Sequence, residues 1–200
     1  MIDQFTALHG LAIKKFGTAA AVASILSASE DEVATALADA TAIGEAIAAR
    51  GAYMVTPKGQ AALKGEYALR FAALRADESF VAAHERFEAV NTDLKQLMTE
   101  WQVRSVAGEP LPNDHSDKDY DARIIDRLGA LHERAEPVLV ACVSALPRLE
   151  RYAVRLGEAL EKAEEGIIEF VSGAKIDSYH TVWFELHEDL LRILDRSRAE

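Results

Sequence analysis

The stretch from Asp177 to Arg198 constrains the fold more than any other. Tyr179, Val182, Trp183, Leu186, Leu190 and Ile193 recur at spacings of three and four, which makes one apolar helical stripe. His180, Phe184, His187 and Leu191 form a second stripe beside it. Thr181, Glu185, Glu188, Arg192 and Asp195 take the remaining face, which is expected to be wet. A helix apolar over more than half its circumference packs between other helices rather than on a surface. Asp177 or Ser178 is expected to cap its exposed amides. The chain is therefore expected to be mainly α, built around this element.

The N-terminal residues 1–65 have a different organisation. Phe5, Leu8, Leu11, Ala12 and Ile13 keep a helical period from Asp3 to Phe16, with Gly17 as the stop. Thr18 is placed to cap a short helix through Leu26, and Ser29 with Glu32 has the capping-box spacing for a third helix ending near Ile43. Two short extended runs, Ala46–Arg50 and Tyr53–Thr56, join at Gly51, and Thr56-Pro57-Lys58-Gly59 opens the next helix. Three helices, a two-stranded ribbon and that exit resemble a winged helix-turn-helix of the MarR/ArsR kind. The resemblance implies a recognition helix, here Glu30 to Ile43, lying in the major groove of DNA. The chemistry of the segment points elsewhere. No Lys, Arg or His stands between Lys15 and Arg50, while Glu30, Asp31, Glu32 and Asp39 fall on the recognition helix. Cations supply the counterion-release term that dominates DNA affinity. Lys14, Lys15, Arg50 and Lys58 are the nearby cations a DNA-binding reading would use, and the formal net charge of −11 disfavours nucleic acid further.

Residues 66–200 are expected to form a second domain, a bundle of about five helices following without a flexible tether. Gln60 to Trp101 reads as helix broken near Ala76-Asp77-Glu78-Ser79, and Ser105 to Ser116 as a loop containing Gly108, Pro110 and Pro112. Asn113, Asp114 or Ser116 then caps a helix through Leu131. Pro137 and Pro147 each fit the first turn of a new helix, and Val138 to Leu146, apolar almost all round, is expected to be the most buried. Leu149, Tyr152, Leu156 and Leu160 give the next helix its stripe, closed by Gly166. The lone Cys142 lies in that apolar run, which fits packing in a reducing cytoplasm rather than a disulfide framework. No apolar run is long enough to cross a bilayer.

No phosphate-binding glycine loop, nucleophile elbow or His-Glu-x-x-His helix is present. Asp117-x-Asp119-x-Asp121 begins like a calcium loop, but Ala122 replaces the glycine at the sixth position and Leu128 the glutamate at the twelfth. Asp77, His84 and Asn91 have spacings unlike the metal-holding Asp and His of GntR-type regulators. No metal and no cofactor is expected. The candidate pocket is polar, with Asn113, Asp114, His115 and Asp117 joined to Asp177, His180, Glu185 or His187; histidines beside carboxylates can act as base, switch or ligand. His180 and His187 are about 10 Å apart along the helix, too far to share one ion.

The order Leu8-His9-Gly10-Leu11, Thr56-Pro57-Lys58-Gly59, Thr99-Glu100-Trp101-Gln102-Val103-Arg104, Asn113-Asp114-His115-Ser116-Asp117 and Asp177-Ser178-Tyr179-His180-Thr181-Val182-Trp183-Phe184-Glu185-Leu186-His187 spans nearly the whole chain. It resembles the tail or companion region of actinobacterial phosphoenolpyruvate-utilising, pyruvate phosphate dikinase-like proteins. The resemblance implies association with an ATP-dependent phosphotransferase. The chain holds neither a nucleotide-binding domain nor the segment that carries a phosphohistidine in such enzymes, so the implied role is a non-catalytic accessory or protein-interaction module, with a phosphotransferase component as partner or as a homodimer. The alternative is a winged-helix transcriptional regulator whose helical domain senses a ligand or dimerises.

Overall fold

The computed structural model describes residues 2–106 and 108–198. It is mainly α, with two small antiparallel two-stranded ribbons among the described residues. The chain divides into two units: residues up to Asp77 together with those from His187 onward, and Glu78 to Leu186. The sequence boundary at residue 65 therefore differs from the structural one. The chain does not change unit until after Asp77, and the end of the chain belongs with its beginning.

In the first unit, helices α1 (Gln4–Lys14), α2 (Ala19–Leu26) and α3 (Glu30–Ala42) precede strands β1 (Ala46–Ala49) and β2 (Ala52–Val55), then α4 (Pro57–Arg70) and α5 (Ala72–Ala76). Each cap has a local cause. The side chains of Asp3, Thr18 and Thr56 accept from amides three residues on, and Ser29 and Glu32 form a reciprocal capping box. Gly17 is not the C′ residue of α1: Lys15 takes the positive φ, and Gly17 exchanges two backbone hydrogen bonds with Tyr53, adding a bridge to the ribbon. Arg50 and Gly51, both at positive φ, make the two-residue turn between β1 and β2.

The Thr56-Pro57-Lys58-Gly59 motif is architectural throughout. Thr56 caps α4, Pro57 occupies its first turn, and the Lys58 ammonium donates to the carbonyl of Ile43 at 2.6 Å. A Cβ on Gly59 would stand 2.1 Å from the carbonyl oxygen of Glu45, so only glycine lets α4 begin this close to the ribbon.

The second unit holds α6 (Glu78–Gln102), the hairpin β3 (Val103–Val106) and β4 (Glu109–Pro112), α7 (Lys118–Ala145), a 3₁₀ turn (Pro147–Leu149), α8 (Glu150–Glu164) and α9 (Glu169–Ser172). Helix α10 (Tyr179–Leu194) runs from this unit into the first. Three expectations are corrected here. Much of the expected loop 105–116 is hairpin, and its Pro110 and Pro112, without amide protons, had concealed a strand. Pro137 lies inside α7; it is exposed, so the carbonyl it leaves without a partner can be hydrated and the helix continues. Asp117, not Asn113, Asp114 or Ser116, caps α7, accepting from the Tyr120 amide at 3.0 Å.

Candidate functional site

The ribbon of the first unit presents apolar side chains on the outside. Ile47 and Met54 are cross-strand partners and are 48% and 45% exposed; Ile43, just after α3, is 49% exposed. Phe16, next to the Gly17–Tyr53 bridge in sequence, is also exposed. The exposed charges of α3 are negative, with Glu30, Asp31 and Asp39 along it. Of the cations the DNA reading would use, Lys58 is engaged at the end of α3, Arg50 sits at the ribbon tip, and Lys14 and Lys15 lie at the end of α1. None stands on the exposed face of α3.

The expected polar pocket separates into distinct groups. Asn113 and His115 converge on Asp121, which is not among the residues expected in the pocket. Asn113 Nδ2 donates to Asp121 Oδ1 at 2.9 Å and to the carbonyl of Trp101 at 3.0 Å. His115 Nδ1 lies 3.1 Å from both Asp121 oxygens, its ring 4.5 Å from that of Trp101. Asp114 and Asp117 face Arg104 instead, at 3.8 and 3.5 Å. Asp114 also accepts from Ser116, and those bonds hold its carboxyl below the usual range. This group pins the hairpin between α6 and α7.

Asp177 and Glu185 form a second group around Arg155, which is 2% exposed. Glu185 is buried, not wet: its Oε2 accepts from Arg155 Nη1 at 2.8 Å. His180 is half-buried and joins neither group, and His187 is buried in the first unit. The helix caps at Ser178, whose hydroxyl accepts from the Thr181 amide. Among the described residues no three His, Cys, Asp or Glu side chains come together in a way that could hold a metal ion.

A buried polar line runs through the first unit, outside the residues expected to form the pocket. His9 Nδ1 lies 3.0 Å from the Tyr67 hydroxyl, and His9 Nε2 lies 3.1 Å from Asp189 Oδ1. The second approach is an electrostatic contact rather than an aligned hydrogen bond. Phe5 stacks on the His9 ring. The signal was available: Asp189 stands three residues after Leu186 and four before Ile193, inside the apolar stripe, and His9 sits between Leu8 and Leu11.

Two histidines of the second unit make stability depend on pH. Burial lowers the pKa of His132, outweighing the pull of Glu136, Glu164 and Glu133, and burial lowers that of His180. Each binds its proton less readily folded than unfolded, so its contribution is complete above the ordinary value of 6.5 and is lost as pH falls below it. A second loss sets in below about 4.5, where Glu100, held down by Arg127, and then Asp114 are protonated. Melting temperatures from pH 8 to pH 3 should fall in these two stages. The double variant His132→Gln/His180→Gln should flatten the first; an unchanged profile would refute the assignment.

Among the described residues no helix is long and apolar enough to cross a membrane. Compared with protein-family models, with curated proteins and with solved structures, the chain finds no match in any of the three.

Proposed function

We propose that the chain is a non-catalytic protein-interaction module, with a winged-helix N-terminal unit whose ribbon face docks a protein partner. The observation that carries this reading is the exposed apolar row of Ile47 and Met54 beside an α3 whose exposed charges are carboxylates. A DNA-facing surface needs cations to displace counterions, whereas a protein interface needs an apolar centre within a polar rim. The motif order from Leu8-His9-Gly10-Leu11 to His187 supports a dikinase-like phosphotransferase component as the partner.

The test has two arms. Mixed with a dikinase-like phosphotransferase encoded beside it, the protein should elute as a complex in size-exclusion chromatography. Ile47→Asp/Met54→Asp should abolish the complex without lowering the melting temperature, since both side chains are exposed. In the second arm a fluorescent duplex from its own promoter is titrated at low salt. Nothing tighter than the non-specific range of about 10⁻⁴ to 10⁻⁶ M is expected. A specific, salt-sensitive complex near 10⁻⁸ M would establish the transcription-factor reading instead.

A further inference from the structure

The apolar run on α7 that the sequence places at the centre of the bundle is only half buried. Leu139 and Cys142 face inward, but Val140 is 65% exposed and Val143 is partly exposed. Helix α7 carries more apolar surface here than its own packing uses. That surplus opens onto a cleft of about 460 Å³ between the last turns of α7 and the start of α8. Its apolar lining is Leu139, Val140, Val143 and Ala153. The volume lies within the range of small-molecule sites.

The carboxylates that line the cleft face no cation in its lining. Glu136 and Glu150 both line it, and among the described residues neither has an ion-pair partner. His132, at one end, is no counter-ion: burial favours its neutral form, and its Nδ1 lies 3.1 Å from the buried hydroxyl of Tyr179. Two uncompensated carboxylates over an apolar lining complement one kind of ligand.

We propose that this cleft binds a small organic cation, an ammonium carried on an apolar body. The apolar body covers Val140 and Val143 while the ammonium lies between Glu136 and Glu150. A second copy of the chain is disfavoured as occupant, because its own Glu136 and Glu150 would approach the same carboxylates. Anionic lipid is disfavoured for the same reason. The site lies within the second unit and is independent of the ribbon face.

Three probes of matched shape test the proposal: 3-phenylpropylammonium, 3-phenylpropan-1-ol and 3-phenylpropionate, each titrated into the full chain and followed by amide NMR shifts. The ammonium should move the amides of Val140, Val143 and Ala153 with a millimolar Kd. The alcohol should bind about fivefold more weakly, the scale set by partly exposed charge pairs, and the carboxylate should not bind. Glu136→Gln/Glu150→Gln should bring the ammonium to the level of the alcohol, and Val140→Lys should abolish its binding. All three positions accept these changes without loss of fold, checked by the melting temperature. Equal binding of ammonium and alcohol, or ammonium shifts that survive Glu136→Gln/Glu150→Gln, would overturn the proposal. So would a result in which only a Leu/Lys amphipathic peptide, and no small probe, moves these amides; the cleft would then be a protein-docking groove.

Discussion

A chain ending at Leu186 will lose the fold of its first unit. The eight residues from His187 to Leu194 bring Leu190, Leu191, Ile193 and Leu194 into that unit, all buried. Burying one such side chain is worth about 1.5–3 kcal/mol, so the four together supply roughly 6–12 kcal/mol. Whole domains are stable by only about 5–15 kcal/mol. The same segment carries the polar links: Asp189 to His9, Arg192 to the carbonyl of Ala12 at 3.2 Å, and Arg75 to the carbonyl of Ile193 at 2.6 Å. Hydrogen exchange on the truncated chain should show the amides of α1 to α4 exchanging with little protection. Native protection there would refute the claim that residues far apart in sequence build one unit. Asp189→Ala in the full chain isolates the polar part; leaving His9 short of a buried partner should cost about 1–3 kcal/mol, and Asp189→Asn less.

What was legible in the sequence is what is local. The capping box at Ser29 and Glu32, the caps at Thr18 and Thr56, the Gly51 turn and the stripe of α10 are written within a few residues, and all are present. What was not legible depends on partners distant in sequence. A charge on a helical face is ordinarily solvated, yet Arg155, thirty positions away, goes into the interior with Glu185. Asp189 was hidden the same way by His9, across 180 positions. The expected polar pocket failed for a related reason. Loop residues such as Asn113 and Asp114 satisfied their polar groups with near neighbours, while His180 and His187 remained fixed on α10 about 10 Å apart. Val140 erred in the opposite direction. Hydropathy assigns an apolar side chain to the interior and carries no information about a face left open beside α8.

Arg155→Ala will be among the most destabilising single substitutions in the second unit. Burial works against the guanidinium charge, but Asp177 and Glu185 outweigh it and raise the pKa further. Arg155 Nε donates to Asp177 Oδ2 at 3.0 Å, and Nη2 stands 2.8 Å from Asp177 Oδ1, close but off the line of a hydrogen bond. The partners differ in what their loss would cost. Asp177 is half-exposed, so water replaces much of what it provides, and Asp177→Asn should cost about 1 kcal/mol or less. Glu185 is almost fully buried, and Arg155→Ala takes the guanidinium away from its carboxylate. Breaking a buried pair in this way costs about 3–5 kcal/mol, at about 2–4 °C of melting temperature per kcal/mol for a chain of this size. The pair is nonetheless replaceable, because its attraction mainly offsets the desolvation of two charges. Arg155→Met with Glu185→Leu should lie within about 1 kcal/mol of the parent, well above either single variant alone. Urea denaturation of the parent, the two single variants and the double closes the cycle. A double variant as unstable as the sum of its singles would show that the two side chains act independently and that the buried pair is not what joins α8 to α10.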